Sequence, residues 1–512
     1  MMKTKLIIFT VLISLFSSCL KDEGNYTYKD INEIKVTGVA SSYSVMRDLD
    51  TLVIDPVVTM TDGDLNDASR FQYMWLAVKA YSTKDTLAKT RVLKYNIKLN
   101  PDTYEFYLKI VDKQTGVTWS TVSKLVVGTP YTKGILLIGE NGQGNSQVQM
   151  LSMVSDTLFF PDMLKNSGFP DLKDPLDVFH TGGSESYIKL WVLTGSGAYA
   201  IDRLTQKCSA PNVFKNSVFT ADPITEELIP VNMCPRIKDK AGALSTSLYR
   251  GVICKNGYVF NTMFALNGGD YYTEPVNREA SNFSKLIAAR PEMFYGNLSY
   301  KGFLWYDKEG ERFMQVGASA AVSNALVDLP GDIFPWNNKA LGRTLVYGEN
   351  TINTDGGSTG GNSFAIMKDA AGNAFIYKLH VGTNIEKRAL YTVKPIATNF
   401  LSADFYAFSS KRTVVFYSKG KDLYAYDYNP GNEKFFKIAG FVTDNISMIK
   451  FDTQIEPSTN PLYIATYNSA GVGTLRKYFL GTSPDNITLD QHPQSNWTGL
   501  VKIKNMSWRA AK

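Results

Sequence analysis

The chain has 512 residues, 44% of them hydrophobic and 20% charged, a composition that buries sizeable cores over a length greater than one ordinary domain. Lys and Arg total 54 against 48 Asp and Glu; this small excess is spread along the chain without a basic cluster, which argues against nucleic acid as a partner. Cys19, Cys208, Cys234 and Cys254 lack the regular spacing of a disulfide scaffold, and at most one bridge can form among the last three.

Residues 1–18 have the layout of a signal peptide. Lys3 and Lys5 give a positive start, Leu6 to Phe16 form an apolar run, and small Ser17 and Ser18 follow. The run is well short of the roughly 20 residues a spanning helix needs. Cys19 then stands alone before Lys21, Asp22 and Glu23, with no Cys or His partner at ligand spacing. A cysteine placed so resembles the lipobox of bacterial lipoproteins. That resemblance implies cleavage before Cys19 and acylation of both its thiol and the new amino terminus, enough chains for stable anchoring. One departure is Phe16, three places before the cysteine, where Leu is commonest. The alternative is an ordinary cleaved signal with an incidental cysteine. Lys21-Asp22-Glu23 is similar to the export signal that Bacteroidetes lipoproteins carry just beyond the acylated cysteine, implying an outer-membrane protein that faces the extracellular side. On charge alone, the same tripeptide is solvated tether. Residues 19–29 are expected to be that lipidated tether.

From residue 30 onward the pattern is almost wholly period two, which predicts an all-β protein. Residues 30–128 give seven strand-like segments: "INEIKVTGV", "SYSVM", "TLVIDPVVTM", "FQYMWLAV", "RVLKYNIKL", "TYEFYLKIVD" and "TWSTVSKLVV". Their lengths and turn spacing predict a β-sandwich. In "FQYMWLAV", Tyr73 and Trp75 share a face and form a candidate core pair, and the last two segments form a hairpin turning at Gln114 to Gly116. These features resemble a PKD-like, immunoglobulin-type domain, and "CLKDEGNYTYKDINEI" looks like the opening of the PKD-like surface lipoproteins of Bacteroidetes.

Residues 131–512 repeat a hairpin of apolar strand, tight polar turn and aromatic-bearing strand. Copies begin at Gly134, Ile188, Tyr249, Gly302, Asn362, Arg412 and Pro461, at intervals of 49 to 61 residues. A period near 50 in an all-β chain predicts a β-propeller of seven blades, with six or eight as neighbouring counts and a chain of further sandwiches as the other architecture. The closing "NWTGLVKIKNMSWRAAK", with Trp508, is expected to complete the last blade.

Motifs for chemistry are sparse. His180, His380 and His492 are far apart and lack metal-ligand spacing. Gly356-Gly357-Ser358-Thr359-Gly360 fits G-x-S-x-G, but its polar loop leads into a strand, whereas a nucleophile elbow leads into a helix. "TDGDLNDAS" places Asp62, Asp64, Asn66 and Asp67 in one loop with the oxygen chemistry calcium takes, yet it lacks the acidic residue and helices of an EF-hand; a turn is the preferred reading and structural calcium the alternative. "GENGQGNSQ" joins two strands and opens no helix, so no phosphate cradle is expected. No catalytic residue, metal site or cofactor is assigned. Paired carboxylates for glycoside hydrolysis leave no linear signature.

Aromatics make up 12% of the chain, and some fall in turn-like segments. Tyr271 and Tyr272 in "NGGDYYTEP", and Trp336 with Asn337 and Asn338 in "IFPWNNK", offer rings beside amides that suit sugar faces or peptide side chains; packing within blades is the competing role for each. The resemblance to PKD-like surface lipoproteins implies an accessory to a Sus-like importer, in which a TonB-dependent transporter and its lipoprotein lid take up oligosaccharides or peptides. The expected function is noncatalytic capture of nutrient at the cell surface. A surface glycoside hydrolase, lyase or peptidase and a structural or adhesive surface protein are the alternatives.

Overall fold

Apolar and polar side chains alternate along most segments, so one face of each segment must be buried and paired strands result. The computed structural model describes residues 32–510 except 80–83, 155–156, 166, 170, 183–187, 204–205, 209–211, 237–247, 264–265, 267–268, 280–281, 318–319 and 439–442. Cys19, Lys21, Asp22 and Glu23 lie outside the described residues. Among the described residues the regular structure is β-strand with short 3-10 turns, and no helix is long and apolar enough to cross a membrane. The chain divides between Val127 and Gly128 into two compact units.

Among the described residues the first unit holds nine strands: β1 (Ile34–Thr37), β2 (Ser42–Met46), β3 (Thr51–Ile54), β4 (Val57–Met60), β5 (Phe71–Val78), β6 (Lys84–Ala88), β7 (Leu93–Asn96), β8 (Asp102–Asp112) and β9 (Thr118–Gly128). A five-stranded sheet runs β2-β9-β8-β5-β6, while β1 pairs with β4 and β3 with β7. Two of these strands depart from the seven expected segments. Pro56 divides "TLVIDPVVTM" into β3 and β4, which pair with different partners, because proline has no N–H to continue a ladder. Short, charged β6 carries too little apolar alternation to be seen. Tyr73 and Trp75 are both buried; the Trp75 ring stacks on Phe106 with centroids 5.3 Å apart, and its Nε1–H donates to the Thr90 and Arg91 carbonyls. A bulky indole is thus buried with its polar atom satisfied.

The second unit is a seven-bladed propeller. Among the described residues it carries seven successive sheets of three or four strands and one two-stranded ribbon, Arg278–Glu279 with Asn282–Leu286. Every repeated hairpin of the sequence is the second and third strand of one blade, counted outward. Of the closing segment, Asn496 to Leu500 end the outer strand of the seventh blade as expected, whereas Lys502–Ala510 pairs with Lys133–Glu140 and becomes the innermost strand of the first. Trp508 lies opposite Ile135. The ring is thereby closed by hydrogen bonds between the two ends of the unit.

Among the described residues, seven hydrophobic cores alternate with the seven blades. Along one strand, Ile135 and Leu137 pack against Met448, Tyr463 and Leu475 of the seventh blade, while Leu136 and Ile138 pack against Val178, Leu190 and Val192 of the second. Both faces of a blade are therefore buried, which explains the continuous apolar runs, and each fully buried aliphatic side chain contributes about 1.5–3 kcal/mol. Cys234 and Cys254 are buried free thiols.

Candidate functional site

The innermost strands of all seven blades converge on a cavity of about 540 Å³. Five of these strands carry one extra residue against their neighbour: Leu176, Val231, Val346, Ser447 and Lys504. All but Ser447 line the cavity. A bulge re-aims a side chain and ends regular pairing, and here it places side chains in the channel that strict alternation would direct between blades.

Charged groups gather in this channel. Asp177 and Arg236 form an ion pair of 2.6 Å, both largely buried, and the Arg236 guanidinium lies 4.0 Å from the centroid of the Phe179 ring. Beside Arg236, burial pushes the Tyr295 hydroxyl up to about 12, although the guanidinium favours its ionised form. Glu349 Oε2 accepts from the Phe408 N–H at 2.8 Å and the Tyr347 hydroxyl at 3.3 Å. Burial nevertheless raises its pKa to about 7, against the opposing pull of those donors and of Lys450. Lys450 Nζ donates to Asn505 Oδ1 at 3.0 Å and to the Met506 carbonyl at 2.8 Å, and burial lowers its pKa. Lys504 is exposed, with its Nζ 5.9 Å from the Phe405 ring centroid. The channel can thus bind through both polar and apolar contacts.

The residues singled out in the sequence fall elsewhere. Tyr271 is 46% exposed and sits 5.7 Å from the ring of Phe219, itself 61% exposed. Tyr272 is buried between the second and third blades, because neighbouring residues of extended chain point to opposite sides. Trp336 is 5% exposed and packs edge-on against Phe313 and Phe334, so its faces are not open as a platform. The Asn337 side chain accepts from the Lys339 N–H and lines a separate hollow beside Asp307, Arg312 and Lys339. Asn338 is buried and accepts from the Tyr377 hydroxyl. None of these five lines the channel. Conversely, the sequence did not single out Asp177, Arg236, Glu349, Lys450 or Lys504. Their one signal is a charge inside or bordering the strand that precedes a repeated hairpin, or inside the closing strand.

The remaining motifs resolve into local structure. Ser358 is buried and donates to Asn362 Oδ1 at 2.6 Å, in a loop that connects two strands. In the 61–69 loop, Asp62 pairs with Arg70, Asp64 accepts from Asn66, and Asp67 accepts from Ser69 and Arg70; these bonds build turns. His180 is buried, and burial holds its pKa well below the usual value. His380 Nδ1 lies 3.1 Å from the Gly361 carbonyl, and His492 Nδ1 lies 3.0 Å from Ser495 Oγ. Among the described residues no group of three His, Cys, Asp or Glu side chains is placed to hold a metal ion.

Comparison with solved structures gives distant similarity. A quinonprotein alcohol dehydrogenase-like protein from Bacteroides thetaiotaomicron has a TM-score of 0.41 and 13% identity, over 91% of this chain and 96% of that one. The WD40 domain of SCAP from fission yeast has a TM-score of 0.30 and 12% identity, over 71% of this chain and 90% of that one. PorZ, a surface component of the type-IX secretion system of Porphyromonas gingivalis, has a TM-score of 0.17 and 10% identity, over 79% of this chain and 59% of that one. No curated protein matches. Residues 19–168 match the PKD-like family model, so this portion of the chain is similar to that family.

Proposed function

We propose that the protein is a lipid-anchored outer-membrane protein of the cell surface that captures a nutrient, an oligosaccharide or peptide, in the propeller channel without transforming it. In this reading it serves a TonB-dependent transporter and its lipoprotein lid. Cys19 carries the anchor and Lys21-Asp22-Glu23 the export signal. One observation carries the binding role: the channel of about 540 Å³, onto which seven blades converge, has the volume of a small-ligand site and mixes apolar walls with a few fixed polar groups.

A second reading, a hydrolase or lyase, draws on Glu349, whose carboxyl has a pKa of about 7 in a cavity, as a general acid or base would. Against it, Asp177 is tied to Arg236 and Asp404 to Lys419, which leaves Glu349 without a free carboxylate partner among these lining groups. Glycan and peptide arrays probed with the full chain in detergent test the capture reading. Binding should be lost in Asn232→Trp, which fills the channel, at unchanged melting temperature. A blank array, or binding that survives the filled channel, would contradict it. Release of product from a bound oligomer would instead establish the enzyme.

A further inference from the structure

We infer that the ligand of the channel carries a carboxylate, seated against Lys450 and Lys504 where the innermost strands of the seventh and first blades meet. This rests on the capture reading above and names the ligand's chemistry.

The argument is one of unmatched charge. An ammonium has three donors. Those of Lys450 meet two neutral acceptors, Asn505 Oδ1 and the Met506 carbonyl, and among the described residues no carboxylate lies within ion-pairing distance. Lys504 is the bulged residue of the closing strand; its ammonium has an aromatic neighbour, Phe405, and no carboxylate ion-pair partner among the described residues. The acids that line the channel are otherwise engaged. Asp177 is held by Arg236, Asp404 by Lys419 and the Gly420 N–H, and Glu349 by the Phe408 N–H and the Tyr347 hydroxyl. Asp177, Glu349 and Asp452 act on Lys450 without an ion-pair contact, and a buried cation lacking such a contact is costly, so a ligand that brings an anion into contact gains what the protein leaves unmade.

The type of anion follows from the capture reading, because the acidic groups of peptides and uronates are carboxylates. The channel's guanidinium is committed to Asp177, so the two ammoniums, single-point donors, seat that carboxylate. Phe405 and Tyr406 also line the cavity and provide an apolar surface beside the charges. A uronate-containing oligosaccharide and an acidic peptide both combine a carboxylate with such a face.

Isothermal titration of the full chain in detergent, with trigalacturonate, its methyl ester and the C-terminally amidated peptides Glu-Glu-Glu and Gln-Gln-Gln, tests this. One acidic probe should bind about tenfold more tightly than its neutral counterpart, the factor corresponding to about 1.4 kcal/mol, and the acid preferred identifies the source. Lys450→Met and Lys504→Ala should each erase the preference, and Lys450→Arg should keep it. Lys504 is exposed, so its variant carries the test if Lys450→Met does not fold. Equal affinity for acid and neutral forms, failure of both acids to bind, or a full preference in Lys504→Ala would overturn the inference. A neutral ligand found on the arrays and lost in Asn232→Trp would leave the capture reading standing without it.

Discussion

At the scale of single residues, the channel is where charge is costly to keep. Removing Asp177 leaves the Arg236 guanidinium buried without its partner. Asp177→Ala is expected to cost about 3–5 kcal/mol, measured as the loss of unfolding free energy in urea, while replacing both residues by apolar ones of similar volume should recover most of it. Glu349 makes stability depend on pH. Its pKa rises from 4.5 to about 7 on folding, so across that window the folded state binds more protons and stability falls as pH rises. The groups around it are Tyr347 on its own strand, Glu292 of the fourth blade, Asp404 and Tyr406 of the sixth, and Lys450 of the seventh. Gln in its place still accepts from the Phe408 N–H but does not titrate. Glu349→Gln should therefore lose less stability than the parent between pH 5 and pH 8, seen in urea midpoints; an unchanged pH profile would refute the assignment.

At the scale of elements, the strands were legible because burial on one or both faces writes itself into sequence. The seven repeated hairpins are the second and third strands of the blades, and their apolar runs reflect packing on both sides. The channel was not legible for a related reason. Its lining comes from the innermost strands, whose bulges at Leu176, Val231, Val346 and Lys504 break the alternation that marks a residue as facing in or out. Tyr272 and Trp336 misled for the opposite reason: their turn-like surroundings said nothing of the neighbouring core each enters. The closing strand depends on Gly139, beside the bulge at Lys504. A Cβ there would stand 2.4 Å from the Lys502 carbonyl oxygen and 2.6 Å from Val501 Cγ2. Gly139→Ala should displace the closing strand and cost about 1–3 kcal/mol, with faster proteolysis after residue 500 as a direct readout.

At the scale of the whole propeller, stability is a property of the ring. Each blade buries its two faces against two neighbours, and the core between the seventh and first blades includes Trp508 from the closing strand. Trp508→Ala should cost about 3–5 kcal/mol and expose the first and seventh blades ahead of the others to hydrogen exchange. The same closure brings Lys504 and Asn505, from the end of the chain, to a channel that the other six innermost strands have already surrounded.

The central claim is that this channel serves uptake at the cell surface. The measurement that tests it most directly is recovery of partners from detergent-solubilised outer membrane, with a carboxy-terminal tag, mass spectrometry and a Cys19→Ala control. The account predicts a TonB-dependent transporter and its lipoprotein lid in the tagged sample and their loss in the control. Recovery of the protein alone from intact surface membrane would contradict it.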